Sequence, residues 1–251
     1  MKNERRQSEI LIGVLFALAV WQAAAMLIDQ QIILASPIQV AVRLGSIWRE
    51  EGFLRSVLFS FLRILGGFSS GLALGIIFAV LAGRFHAISV LVQPFITVMK
   101  TIPVASFIVV SLIWFGSDKL AIFISFVMVF PIIYTNVLEG IRSTDPQLLE
   151  MAKVFRVPHL KKLLYIYLPC TMPQLVSGCS VALGLAWKSG IAAEVIGIPD
   201  GSIGERLYQA KLYLDTDDLF AWTVIIIALS IGFERLFTAA LRYAAKRLTR
   251  M

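Results

Sequence analysis

Charged residues are scarce in this 251-residue chain, and their scarcity excludes most kinds of water-soluble protein. Asp, Glu, Lys and Arg together make up 16% of the sequence, whereas 58% of the residues are hydrophobic. Soluble domains carry about a quarter charged residues. Since this chain has too few charges to cover a soluble surface, we expect one membrane domain that occupies residues 1–251.

Cysteine and histidine are also rare, with two residues of each. Cys170 and Cys179 do not have the pattern of a disulfide framework, and His86 and His159 stand isolated near segment ends, so we expect no metal site. The Gly-rich loop with Lys-Ser or Lys-Thr that binds nucleotide phosphates is missing. The sequence also lacks a nucleophile with a matching base. We therefore expect a chain that is not an enzyme and binds no cofactor itself.

Long hydrophobic runs take the place of charge in this sequence. A helix needs about 20 apolar residues to cross the hydrocarbon core, whereas a barrel strand needs only about ten. The runs are about twice the length of a strand, so they predict an all-α integral membrane protein with about six transmembrane helices. The predicted spans are residues 10–28, 58–82, 88–115, 120–138, 172–196 and 219–241.

Lysine and arginine are distributed unevenly between the two sides that these spans define. With the N-terminus inside the cell, thirteen basic residues lie on the inner side: Lys2, Arg5, Arg6, Arg84, Arg142, Lys153, Arg156, Lys161, Lys162, Arg242, Lys246, Arg247 and Arg250. The outer side carries six: Arg43, Arg49, Arg55, Lys119, Arg206 and Lys211. Basic residues concentrate in cytoplasmic loops, so we expect both termini in the cytoplasm.

Glycine and proline predict two features of helix packing. Gly67, Gly71 and Gly75 lie four residues apart on one face of the second span, where they would let another helix approach closely. The alternative is the general enrichment of glycine in membrane helices. Pro94 and Pro103 interrupt the third span. Because proline removes a backbone donor and bends a helix, we expect that span to be kinked or built from two pieces.

Two charged residues of the fifth span, Lys188 and Glu194, are candidates for a translocation pathway. A charge at the middle of the bilayer costs about 2.5–3.5 kcal/mol, so such residues face a cavity or a partner. Lys188 would suit contact with an anion, and Glu194 lies six residues nearer the outer surface. The alternative is that each side chain pairs with a neighbouring helix.

The longest predicted cytoplasmic connection, residues 142–171, is too polar to span the membrane. Asp145 followed by Pro146 predicts a helix start. An apolar stripe then continues at helical spacing, through Leu148, Leu149, Ala152 and Phe155. We expect this helix to end before Pro158 and a second to cover residues 159–167. Two short amphipathic helices could dock a partner or lie on lipid headgroups, and their periodicity alone favours neither.

This loop resembles the cytoplasmic signature of the permease subunits of binding-protein-dependent ABC importers. The signature reads Glu-Ala-Ala, three residues, Gly, nine residues, Ile, one residue, Leu-Pro. It is matched at Glu150, Ala152, Ile166, Leu168 and Pro169. Met151 and Arg156 depart from it. Since glycine permits a left-handed turn that costs other residues about 1 kcal/mol or more, we expect a different backbone at Arg156.

Residues 186–197 and 201–219 also resemble the permeases of the nitrate, sulfonate and taurine importer group. The resemblance implies a methionine-importer-like permease fold in the bacterial inner membrane. It implies a homodimer, two cytoplasmic ATPase subunits that use ATP, and an extracytoplasmic solute-binding protein. The loop would then be a coupling helix, with Glu150 and Ala152 touching the ATPase. The solute would be small: nitrate, a sulfonate, taurine or a thiamine precursor, an anion being favoured by Lys188.

Three other functions remain compatible with a helical membrane protein. An ion-coupled secondary transporter would need its own coupling-ion residues, an intramembrane enzyme would need paired catalytic groups, and a membrane scaffold would move no solute. The loop signature favours the ATP-driven permease, because only that function requires an ATPase to dock.

Overall fold

The computed structural model describes residues 2–28, 30 and 32–248, and Arg250 from the charge count lies outside them. Its helices, in chain order, are α1 (Lys2–Ile28), α2 (Pro37–Ile47), α3 (Phe53–Arg84), α4 (His86–Thr101), α5 (Val104–Arg142), α6 (Pro146–Val154), α7 (His159–Lys162), a π-helical turn (Leu163–Tyr167), α8 (Leu168–Gly197), α9 (Ile203–Leu212) and α10 (Thr216–Leu248). The described residues contain no strand, in agreement with the all-α prediction.

Four helical stretches of the described chain are long and apolar enough to cross a membrane. They are Phe53–Arg84, Val104–Arg142, Leu163–Gly197 and Thr216–Lys246, and a shorter apolar helix covers Ile12–Ile28. The number differs from the six predicted spans for two reasons: α5 joins the end of the third predicted span to the fourth, and the first predicted span is counted as the shorter helix.

The chain reverses direction inside α5, at Gly116. This residue has φ 67° and ψ 173°, which is not helical and lies in a region that favours glycine. The Phe107 and Phe123 ring centroids lie 5.8 Å apart, whereas sixteen residues of straight helix would separate them by about 24 Å. Phe115 also stacks on Phe123, at 4.2 Å. Residues 104–115 and 117–142 are therefore two antiparallel segments.

The segment before this reversal runs along the segment after it. Three contacts join the two segments, and as the residue number rises on one segment it falls on the other. They are Ser89 with Arg142, Lys100 with Thr135, and Phe107 with Phe123. Helix α4 and residues 104–115 thus form one span in two pieces, as the prolines predict. The break falls between Thr101 and Val104, whereas Pro94 lies inside α4 without ending it.

Helices α3 and α5 pack against each other along the predicted glycine stripe. A Cβ atom at Gly67 would lie 2.3 Å from a backbone oxygen of α5. One at Gly71 would lie 2.8 Å from Val129 Cβ, and one at Gly75 would lie 2.9 Å from Ile133 Cβ. Real Cβ atoms do not approach that closely, so only glycine allows this distance between the two helix backbones.

Helix α8 packs on a neighbouring side of α5, again through small residues. Ser125 Oγ donates a hydrogen bond to the Ala186 carbonyl at 3.2 Å, and a Cβ at Gly190 would lie 2.8 Å from Ser125 Oγ. Near the end of α8, a Cβ at Gly197 would lie 2.9 Å from a Leu120 methyl carbon. Helices α3, α5 and α8 consequently form the closely packed centre of the chain.

The short helices α2 and α9 lie at one end of this centre. Ser36 and Gln39 form a capping box at the start of α2. Arg43 of α2 donates to Asp218 of α10 at 2.8 Å and also pairs with Glu50. This ionic contact joins α2 to the first turn of α10.

We predict that Gly71→Val destabilises the fold by overpacking the contact between α3 and α5. Overpacking a close contact costs about 1–3 kcal/mol, which corresponds to a fall of about 3–10 °C in the thermal unfolding midpoint. Gly66→Val is the matched control, because nothing lies within 4 Å of a Cβ at Gly66. Equal unfolding midpoints for the two detergent-solubilised variants would contradict the packing.

Candidate coupling surface and translocation face

Helix α6 begins where the loop sequence predicts. Asp145 is its N-cap, and its Oδ1 accepts a hydrogen bond from the Gln147 amide at 2.8 Å. Pro146 occupies the first turn, where its missing N–H has no intrahelical partner to lose. Local sequence alone therefore fixes the start of the predicted coupling helix, three residues after α5 ends at Arg142.

The exposed side of α6 combines one acid with large apolar side chains. Glu150 and Met151 are exposed, as are Val154 at 78% and, just past the helix, Phe155 at 74%. We call these four residues the α6 face. Such a cluster of exposed apolar side chains needs a partner or a lipid surface to cover it.

The structure corrects the expected role of Ala152. This residue is only 1% exposed, so its side chain faces the interior of the chain and is not available to touch an ATPase. Leu148, Leu149, Ala152 and Phe155 therefore do not form one continuous surface, since Phe155 is exposed while Ala152 is buried. Glu150 and Met151 of the signature triplet remain accessible.

Arg156 adopts the left-handed conformation that the family glycine would adopt, so the expectation of a different backbone is wrong. Its φ is 50°. The Val157 amide donates to the Ala152 carbonyl at 2.9 Å, and the Arg156 amide donates to the Lys153 carbonyl at 3.1 Å. These two bonds are those of a Schellman helix end, which satisfies the last carbonyls of α6. The hydrogen-bonded turn holds Arg156 in place in spite of the steric cost.

The second short helix of the loop is not separate from the membrane span, which is a further correction. The helix runs without interruption from Leu163 through Pro169 to Gly197. A π-helical turn precedes Pro169, and in it the Leu168 amide donates to the Leu163 carbonyl. Such a widened turn lets a helix accommodate a residue that lacks its own backbone donor. Ile166, Leu168 and Pro169 are therefore half-buried residues of the long helix.

Lys188 lies on the open side of α8, away from the packed centre. It is exposed, together with Val181 and Leu185 at preceding turns of the same helix side. Ala186, two residues before it, bonds to Ser125 of α5 on the opposite side of α8. Lys188 is thus accessible, as a residue that lines a pathway must be.

Glu194, the second candidate for the pathway, is buried instead. Its side chain is 1% exposed and accepts a hydrogen bond from Ser60 Oγ at 2.6 Å and from the Gly204 amide at 3.3 Å. Ser60 Oγ in turn accepts from the Ile203 amide at 2.9 Å. The carboxylate therefore joins α3, α8 and α9. Glu194 thus pairs with neighbouring helices, which was the alternative to a place in the pathway.

The partners of Glu194 were not predicted from the sequence. Ser60 looks like an ordinary small residue of an apolar helix, and the link from Glu194 to Gly204 goes through a backbone amide. One local signal exists, because Ser202 caps α9 by accepting from the Glu205 amide at 2.9 Å. That signal predicts a helix start at Ile203, but it does not reveal that the Gly204 amide of this helix donates to the buried Glu194.

A closely packed bundle of apolar helices with an exposed helix between α5 and α8 is the arrangement expected of a membrane transport subunit. Comparison with known proteins supports this class. Residues 71–250 match the family of binding-protein-dependent transport system inner membrane components. The chain belongs to this family.

Three relatives are named for the transport of small solutes. A Bacillus subtilis permease protein named for aliphatic sulfonates is 26% identical over 211 residues, covering 83% of this chain and 76% of the relative. The taurine transport system permease protein of Escherichia coli is 25% identical, covering 97% and 90%. The bicarbonate transport system permease protein of Synechococcus elongatus is 25% identical, covering 74% and 67%.

The family and these relatives confirm the principal sequence prediction. The chain is a multi-pass inner-membrane permease subunit of an ABC importer, a transport subunit and not an enzyme. It works in a complex with ATPase and solute-binding protein partners.

We predict that Glu194→Leu destabilises the protein more than Glu194→Gln does. Leucine leaves the buried Gly204 amide without an acceptor, at a cost of about 1–3 kcal/mol, whereas glutamine retains one acceptor oxygen. Thermal unfolding and proteolysis within α9 measure the effect, and Glu139→Leu at an exposed acid is the control. Wild-type behaviour of the Glu194→Leu variant would contradict the structural role of this carboxylate.

Proposed function

We propose that two copies of this chain form a translocation pathway, and that α6 of each copy docks one cytoplasmic ATPase subunit. ATP is bound and hydrolysed by those subunits, and this chain binds no cofactor. Both termini lie in the cytoplasm, as the count of thirteen basic residues against six supports. The observation that carries the proposal is the exposed α6 face between two helices of the packed centre.

The connections of α6 suit the transmission of a movement. Three residues separate it from α5, and the turn at 155–158 leads directly into the long helix that contains α8. The Schellman bonds at Arg156 hold that turn. When ATP brings the ATPase subunits together, a displacement of α6 therefore moves α5 and α8. ATP can shift the conformations only by the difference in its affinity for them.

The charges of α6 favour a protein partner over lipid headgroups. A helix that lies on an anionic membrane is rich in Lys and Arg on its polar side. Helix α6 has one acid, Glu150, and one base, Lys153, so its net charge is zero. The apolar part of its exposed face, Met151, Val154 and Phe155, is the kind of surface that a groove in a partner protein covers.

The transported solute is a small anion or a zwitterion with an anionic group. The relatives named above are permeases for sulfonates, taurine and bicarbonate, all of which carry such a group. Lys188 on the open side of α8 supplies a positive charge that no carboxylate of the described residues pairs with. We assign Lys188 to the pathway and Glu194 to helix packing.

We predict that Glu150→Lys reduces copurification of the ATPase subunit by about tenfold or more and abolishes uptake, while the protein still inserts into the membrane. Reversing a charge inside a docked interface places like charges together and costs several kcal/mol. Glu51→Lys, the same change at an exposed acid far from α6, is the control. Unchanged copurification and uptake in the Glu150→Lys variant would reject α6 as the docking site.

A further inference from the structure

Helix α4 has a polar side that the coupling role does not explain. Gln93, Thr97, Lys100 and Thr101 recur at three- and four-residue intervals and are all exposed. Another exposed side of the same helix is apolar and consists of Leu91, Phe95 and Val98. The apolar side suits contact with lipid. The polar side, which we call the α4 polar stripe, does not, so it faces water or protein in the membrane.

Contacts with α5 fix the direction of this stripe. Lys100 Nζ donates to Thr135 Oγ1 at 3.4 Å, so the end of the stripe meets α5. Next to Thr135, Asn136 packs against α8, where a Cβ at Gly178 would lie 3.0 Å from the Asn136 Cβ. Residue 135 of α5 therefore faces α4, and residue 136 faces α8.

Lys100 lies well inside the membrane. Thr135 is seven residues from Arg142 at the inner end of α5, which is about 10 Å along the helix. Lys188 lies near the level of Ser125, because Ala186, two residues before it, bonds to Ser125. Ser125 is about 25 Å from Arg142 along α5. The two lysines are thus about 15 Å apart in depth, one in the inner half of the membrane and one in the outer half.

The ammonium group of Lys100 has donors to spare. An ammonium group carries three N–H donors, and one of them is used by Thr135. Among the described residues no carboxylate is in ion-pair contact with Lys100. Glu139, on the same side of α5 as Thr135, lies one turn closer to the inner end. A positive charge at this depth requires water, a ligand or a partner, and no carboxylate of the described residues lies within ion-pair distance of it.

We propose that Lys100, with Gln93 two turns away on the α4 polar stripe, binds the anionic group of the transported solute at an inner site of the pathway. The Lys100 ammonium and the Gln93 amide supply the donors, and Thr135 orients the lysine. This inference rests on the proposed function, to which it adds a second binding position below Lys188. The two lysines then form successive anion sites along the pathway.

Cysteine labelling of the assembled transporter in membranes tests the site without knowledge of the solute. Cys170 and Cys179 are first replaced by Ala, and Thr97→Cys is then introduced one turn from Lys100, where Cβ atoms lie about 5–6 Å apart. The probes are two methanethiosulfonate reagents, one bearing an anionic sulfonate and one a cationic trimethylammonium group. The measured quantity is the ratio of the anionic to the cationic labelling rate.

We predict that Lys100→Met lowers this ratio by about fivefold or more, since a nearby positive charge attracts the anionic reagent and repels the cationic one. Lys119→Met at the exposed outer turn should leave the ratio unchanged. Phe95→Cys, on the apolar side of α4, should react with neither reagent. A ratio that does not depend on Lys100, or no reaction at Thr97→Cys while Ser117→Cys reacts, would overturn the proposal.

A second measurement separates this site from the coupling role. Lys100→Met should reduce uptake of the relatives' solutes, tested as labelled taurine, methanesulfonate and bicarbonate, by about tenfold, and Lys100→Arg should restore most of it. ATPase copurification should not change in either variant. Copurification of the ATPase with the Glu150→Lys variant is measured separately. Failure of the anion site would leave uptake by Lys100→Met unchanged, whereas failure of the docking proposal would leave copurification with Glu150→Lys unchanged.

Discussion

Close contact between the backbones of α3 and α5 is the constraint on which the rest of this structure depends. Gly67, Gly71 and Gly75 contribute no side chain from α3 to the contact, so it rests on van der Waals packing of the α3 backbone against α5. The same principle brings α8 onto α5 through Ser125 and Gly190. Because these three helices are held so closely, the short helices attached to them have defined positions.

The polar groups of the membrane region divide into two sets with different functions. Glu194 Oε2 and Ser60 Oγ bond to each other inside the protein and, through the Gly204 and Ile203 amides, hold α9 against the centre. Lys100 and Lys188 are instead exposed and lack a carboxylate partner among the described residues. In a membrane, a polar group that the fold does not satisfy requires water, a ligand or another chain. That distinction is the basis on which we assign the first set to stability and propose the second for transport.

Sequence patterns predicted the features that depend on local chemistry. The start of α6 at Asp145 and Pro146 and the glycine stripe of α3 depend on neighbouring residues of one helix, so composition and spacing reveal them. Features that depend on the packed structure were missed. The left-handed Arg156 is held by two backbone hydrogen bonds, and Ala152 is buried by the fold. Glu194 accepts a hydrogen bond from Ser60, which lies 134 positions earlier in the chain.

Photo-crosslinking from α6 tests most directly the claim that this helix couples the membrane bundle to an ATPase. Met151→Cys, with Cys170 and Cys179 replaced by Ala, would carry a benzophenone maleimide in the complete transporter. The account predicts a crosslink to the ATPase subunit from the exposed position 151 and far less from the buried position 152. The account would be contradicted if position 151 did not crosslink to the ATPase. It would also be contradicted if Met151→Cys reacted with an impermeant maleimide added outside intact cells.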